Sequence, residues 1–114
     1  MCGSSSANCC CCPEGKIFQE KICGNLAGPL NNYIAWQAPD INDYFQGTFE
    51  IFNSGTGVIV GEVLNSAGTV IGTLNVPPGN SVSTSENNPN EFRINAPAGT
   101  SGKFCINLYK RILG

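Results

Sequence analysis

The sequence contains no histidine. That absence removes Ser-His-Asp and Cys-His nucleophile systems and every zinc site built with imidazole. Charge is scarce too: six basic and eight acidic residues make 12% of the 114, about half the share of a typical soluble domain. The net charge of −2 comes with no basic cluster, which argues against nucleic acid as a partner, because that binding rests on phosphate neutralisation. So little charge does little to oppose self-association. No run approaches the ~20 apolar residues of a membrane helix. The opening "MCGSSSANCCCC" has neither the basic n-region nor the apolar h-region of a secretory signal. Cys2 likewise lacks the apolar segment that precedes a lipidated bacterial cysteine.

Recognisable catalytic or cofactor chemistry is missing as well. Asp40 with Asp43, and Glu86 with Glu91, are the conceivable carboxylate pairs, but both fall in turn-rich stretches and read as solvated loop carboxylates. Gly55, Gly57 and Gly61 superficially suggest a phosphate loop. They run into a strand pattern rather than a helix and lack the Lys-Ser/Thr ending. Trp36 reads as a core or rim residue. The expectation is a non-enzyme with no cofactor and no metal.

What the sequence does have is cysteine, unevenly placed. There are seven, and five of them (Cys2, Cys9, Cys10, Cys11 and Cys12) lie in the first twelve residues. Cys23 and Cys105 stand alone in the rest. An odd count requires at least one thiol to stay free, bind something or pair with another chain. Neighbouring cysteines rarely bond each other, because the small ring so closed departs from relaxed disulfide geometry.

Residues 1–15 are small, polar and cysteine-rich, and Pro13 and Gly15 punctuate their end. They read as a flexible N-terminal connector arm ahead of one domain over 16–114. Beyond them, short runs of β-branched and aromatic residues alternate with Gly, Pro and Asn clusters. Strands are expected at 16–23, 30–37, 44–52, 57–64, 69–76, 81–86, 91–95 and 103–113, with a single helical turn allowed at 40–43. Eight short strands at this spacing predict an all-β, jelly-roll-like sandwich. "NSGTGVIVGEVL" and "NSAGTVIGTLNV" echo each other, which reads as two consecutive hairpins sharing one turn chemistry.

Strand side chains alternate between faces. In the last strand Phe104, Ile106 and Leu108 form the apolar side, so Cys105 is expected to face outward. Cys23 shares a side with Ile17, Gln19 and Lys21 and is expected outward or at the strand end.

Four uses of the arm thiols remain open. Metal binding is one: structural zinc sites use Cys-x₂₋₄-Cys spacing so that both sulfurs reach one ion, and "CCCC" offers at best Cys9 with Cys11 or Cys12. Cys9 and Cys12 have redox-motif spacing but no helix start to activate them. Palmitoylation lacks apolar support. Covalent assembly is the fourth. An extended arm of 15 residues spans roughly 45–50 Å, so the arm of one subunit can reach another and meet Cys23 and Cys105 there. Repeated head to tail, that contact builds a fibre or stacked rings rather than a closed dimer.

The pattern resembles the endospore appendage (Ena) subunits of Bacillus-group spore formers. Cys11-Cys12 followed by Cys23 after ten residues is similar to the family's connector pair and first-strand cysteine. "GKFCINLY" supplies Gly102, Cys105 and Tyr109 in the family's C-terminal order. Departures are Asn8 where an apolar residue usually precedes the pair, four contiguous cysteines rather than two, the additional Cys2, and a Cys105–Tyr109 gap one residue short.

The resemblance implies a structural subunit of disulfide-cross-linked, pilus-like fibres on the endospore surface, made in the mother cell without a signal peptide. It implies that Cys2, Cys9, Cys10, Cys11 and Cys12 supply the arm side of intermolecular disulfides, and Cys23 and Cys105 the body side. The partner is the chain itself, in stacked rings or helical turns. A tip or anchoring protein is a further candidate, and membrane and nucleic acid are not. The extra arm cysteines favour the ladder-like, ring-stacked type. The alternative is a cysteine-rich metal-binding or surface-adhesion β-sandwich.

Overall fold

The computed structural model describes residues 16–39 and 44–112, with the side chains of Lys16, Ile17, Arg111 and Ile112 left aside. The arm with its five cysteines, and the turn and carboxylates expected at 40–43, lie outside the described residues. The turn clusters divide the rest into eight strands: β1 (Lys16–Ala27), β2 (Leu30–Gln37), β3 (Gln46–Asn53), β4 (Ile59–Leu64), β5 (Val70–Val76), β6 (Ser81–Asn87), β7 (Glu91–Ala96) and β8 (Ser101–Ile112). They form two antiparallel sheets, ordered β1-β8-β3-β6 and β2-β7-β4-β5. First and last strands are neighbours and the chain crosses repeatedly between layers, as in a jelly roll.

Alternation along each strand builds the core between the layers. Phe49, Ile51, Ile106 and Leu108 of the first sheet, and Ile59, Leu74, Phe92 and Ile94 of the second, are fully buried. The Phe49 and Phe92 rings meet across the layers at 5.0 Å, and Phe104 lies 6.4 Å from Phe92. Trp36 packs edge-on against Tyr44 at 5.6 Å and is a core residue.

Boundaries follow the turn residues to within a few positions, with one larger difference. β1 runs on to Ala27 through "GNLA", which reads as a turn. Pairing overrides composition here: Gly24, Asn25, Leu26 and Ala27 ladder with Phe104, Lys103, Gly102 and Ser101. A Cβ on Gly24 would stand 2.6 Å from the Phe104 ring, so this position takes glycine to admit that ring.

Two other expectations are corrected. Glu86 and Glu91 lie in β6 and β7, in different sheets, and are not solvated loop residues. Glu86 accepts a hydrogen bond from Thr84 Oγ1 at 2.6 Å, and Glu91 is buried and ion-paired with Arg93. The echoed segments do share a turn device, since Asn53 Oδ1 accepts from Gly55 N–H and Asn65 Oδ1 from Ala67 N–H, each at 3.0 Å. Only the second makes a hairpin, because β3 and β4 belong to opposite sheets.

Asn53 is fully buried, and all its polar atoms are matched. Its Nδ2 donates to Gly57 O at 2.7 Å and to Val76 O at 2.9 Å, which ties the crossover between the sheets to β5. Replacing it by leucine leaves the buried Val76 carbonyl without its donor and removes the partly buried bonds to Gly57 O and from Gly55 N–H. The expected cost is about 2–3 kcal/mol, read as a lowered denaturant midpoint at unchanged slope.

The two flanks of the sandwich differ. β5 packs against β6 and closes one side. β1 and β2 are the edge strands of the other. β2 carries two register shifts against β7, and Asn32, at φ 52°, lies within the first of them. Bulges of this sort break the regular row of unpaired groups that an edge presents.

Candidate cross-linking site

The two body cysteines come together on the outer face of the first sheet. β1 and β8 are neighbours over their whole lengths, and their register sets Cys23 directly opposite Cys105. The Cα atoms are 4.1 Å apart and the sulfurs are bonded to each other, across 82 residues of sequence. Phe104 and Ile106, on either side of Cys105, are buried in the core, so the alternation turns Cys105 outward. Cys23 is exposed and Cys105 half-buried.

The sequence reading expects these two sulfurs in bonds to a second chain. In the single chain each has the other as its partner, and Cys2, Cys9, Cys10, Cys11 and Cys12 lie outside the described residues. The signal for the pairing was present, because first and last strands neighbour each other in a jelly roll. Its register was not.

The surroundings are polar and charged. Glu50 of β3 stands opposite Cys105 on its other side. Lys21 and Lys103 precede the two cysteines by two positions on the same face, and all three charged residues are exposed. One pleat along, Asn107 lies between Lys21 and Thr48. Its Oδ1 is buried and finds no donor among the described residues. Among the described residues no further strand lies beyond β1, and these leave the disulfide open to approach from that flank.

Among the described residues no three Cys, Asp or Glu gather as a metal-binding set, and no ligand-sized cavity opens. What this face carries is a sulfur–sulfur bond. Such a bond is attacked by thiolates through a mixed disulfide.

Residues 8–112 match the family described as Enas, endospore appendages. A solved structure of Bacillus endospore appendages, described as a novel family of disulfide-linked pili, superposes with a TM-score of 0.75 at 22% identity. That likeness covers 96% of this chain and 100% of the other, and it shows the shared fold. The family 11 carbohydrate-binding module of the cellulosomal cellulase Lic26A-Cel5E of Clostridium thermocellum aligns over 88% of both chains at 10% identity. Its TM-score of 0.32 is too low to carry an argument. No curated protein matches.

Proposed function

The chain belongs to the endospore appendage family, and from that premise we propose that it is a structural subunit of pilus-like, disulfide-cross-linked fibres on the endospore surface. The arm of one subunit bonds to the body of a subunit in the neighbouring ring or turn. Cys9, Cys10, Cys11 and Cys12, with Cys2, are the arm-side sulfurs, and Cys23 and Cys105 the body-side ones. The observation that carries this reading is the outward pair of cysteines on the first and last strands, in a chain whose other five cysteines all precede the domain.

Within a ring, edge strands of adjacent sandwiches pair, and β1, whose ladder with β8 has no register shift, offers such an edge. Arm bonds then join ring to ring. The extra arm cysteines add lateral bonds, which favours the ladder-like, ring-stacked arrangement. The work is mechanical, with no reaction on a substrate. Subunits are made in the mother cell and become cross-linked where oxidation is permitted, since disulfides do not persist in a reducing cytosol. A tip or anchoring protein on the spore is the further partner this architecture calls for.

Electron microscopy of the purified full chain, with reducing and non-reducing gels of the same sample, tests the reading. The expected result is long regular fibres that release 12.0-kDa subunits only when reduced. A chain lacking residues 1–15 is expected to give rings or monomers and no fibres. A clean monomer without reductant, carrying zinc or copper, would move the cysteines to metal chemistry and end the proposal.

A further inference from the structure

The bond between Cys23 and Cys105 gives the assembly reading a chemical consequence. If arms bond to these two sulfurs, the bond already between them must first be opened. We propose that the Cys23–Cys105 disulfide is the electrophile of assembly: an arm thiolate from a second copy of the chain opens it, and the cross-links form by disulfide exchange rather than by fresh oxidation. This rests on the arm-to-body reading above and supplies its reaction.

The electron count closes within the chain's own cysteines. Of seven, two are used in the body bond, and seven minus two leaves five for the arm. Five is an odd number, so at least one arm thiol remains whatever bonds the others make. That thiol loses its proton to solvent, and its thiolate attacks one body sulfur of a neighbouring subunit. The Cys23–Cys105 bond breaks, an arm–body bond forms, and the other body sulfur departs as a thiolate. That thiolate regains a proton, so one disulfide is consumed and one is made, and one thiol is spent for each one released. No oxidant is needed, and the odd cysteine is the initiator.

The face around the bond suits this step. Cys23 is exposed and lies on the edge strand, and the pair points away from the core, so opening it leaves no cavity. Exchange passes through a state with one negative charge spread over three sulfurs. Lys21 and Lys103 beside the pair stabilise that charge, whereas Glu50, opposite Cys105, opposes it. Directly opposed residues have Cβ atoms about 4.5–5.5 Å apart, well inside the ~8–10 Å screening length of ordinary buffers.

The test uses the full-length chain, prepared as a soluble oxidised monomer and held under argon with a chelator. The expected result is fibre growth without oxygen, with the number of thiols titrated per chain the same before and after. Peptide mapping should show arm–body cross-links, and capping the thiol with N-ethylmaleimide should abolish growth. Growth in Glu50→Gln should be faster, and in Lys21→Gln and Lys103→Gln slower, by about two- to fivefold each. Equal rates in all of them would overturn the role given to these charges. Arm–body bonds that form only when oxygen is admitted, with two thiols lost per bond, would overturn the exchange mechanism while leaving the assembly reading intact. A soluble chain that carries all seven thiols free would overturn it as well. Fibres lacking arm–body cross-links altogether would instead overturn the assembly reading on which it rests.

Discussion

Replacing both Cys23 and Cys105 with serine is expected to abolish resistance of the fibres to boiling in detergent without reductant. The domain itself should survive the change. Both side chains lie on the outer face of the β1–β8 ladder, so serine in their place disturbs no packing between the sheets. What the variant loses first is intramolecular: the bond closes a loop across 82 residues. In the chain-entropy account a loop of that size is worth about 4–5 kcal/mol, against the roughly 5–15 kcal/mol of a typical domain. Circular dichroism should show an intact β signal with a lowered melting temperature. On the proposed arm-to-body bonding the larger loss is intermolecular, since the arms would have no body sulfurs left to bond. Non-reducing gels should go from material too large to enter to species of one or a few subunits. Fibres of the double variant that still survive boiling without reductant would show that the arms are joined elsewhere.

The second large effect lies in the core. Phe92 is fully buried at the centre of the sandwich and meets the Phe49 ring at 5.0 Å and the Phe104 ring at 6.4 Å. Both partners belong to the opposite sheet, so this ring joins the two layers. Truncation to alanine removes its transfer free energy and leaves a void that close-packed neighbours fill only in part. The expected cost is about 3–5 kcal/mol, measured as a denaturant midpoint on the soluble chain. Phe52 is the control: its ring points outward and is 42% exposed. Phe52→Ala should change stability by no more than about 0.5 kcal/mol. Equal losses at the two positions would mean that the sandwich is not packed around Phe92.

The contrast between these two phenylalanines shows what could be read from the sequence. Local signals carry far: turn clusters place all eight strands, and the Phe104-Ile106-Leu108 alternation by itself turns Cys105 outward. Failures came where distant pairing overrode local composition. "GNLA" looks like a turn, yet it stays in β1 because β8 lies alongside it and Phe104 needs the space over Gly24. Glu86 and Glu91 flank an Asn- and Pro-rich stretch that suggests open loop, but each lies on a strand with its own partner. The junction of Cys23 with Cys105 is the same kind of fact. It depends on the register of strands at opposite ends of the chain, and no local pattern encodes that.

All six lysines and arginines of the chain (Lys16, Lys21, Arg93, Lys103, Lys110 and Arg111) sit in β1, β7 or β8, and none lies in a described loop. Proteases that cut after basic residues need an extended, unpaired segment, which in most domains a loop tip supplies. Here every such bond is held in a hydrogen-bonded ladder, so trypsin-like enzymes must wait for the sheets to open. Their access is then set by the population of the open form, and a surface so poor in charge is also poor in places to be digested.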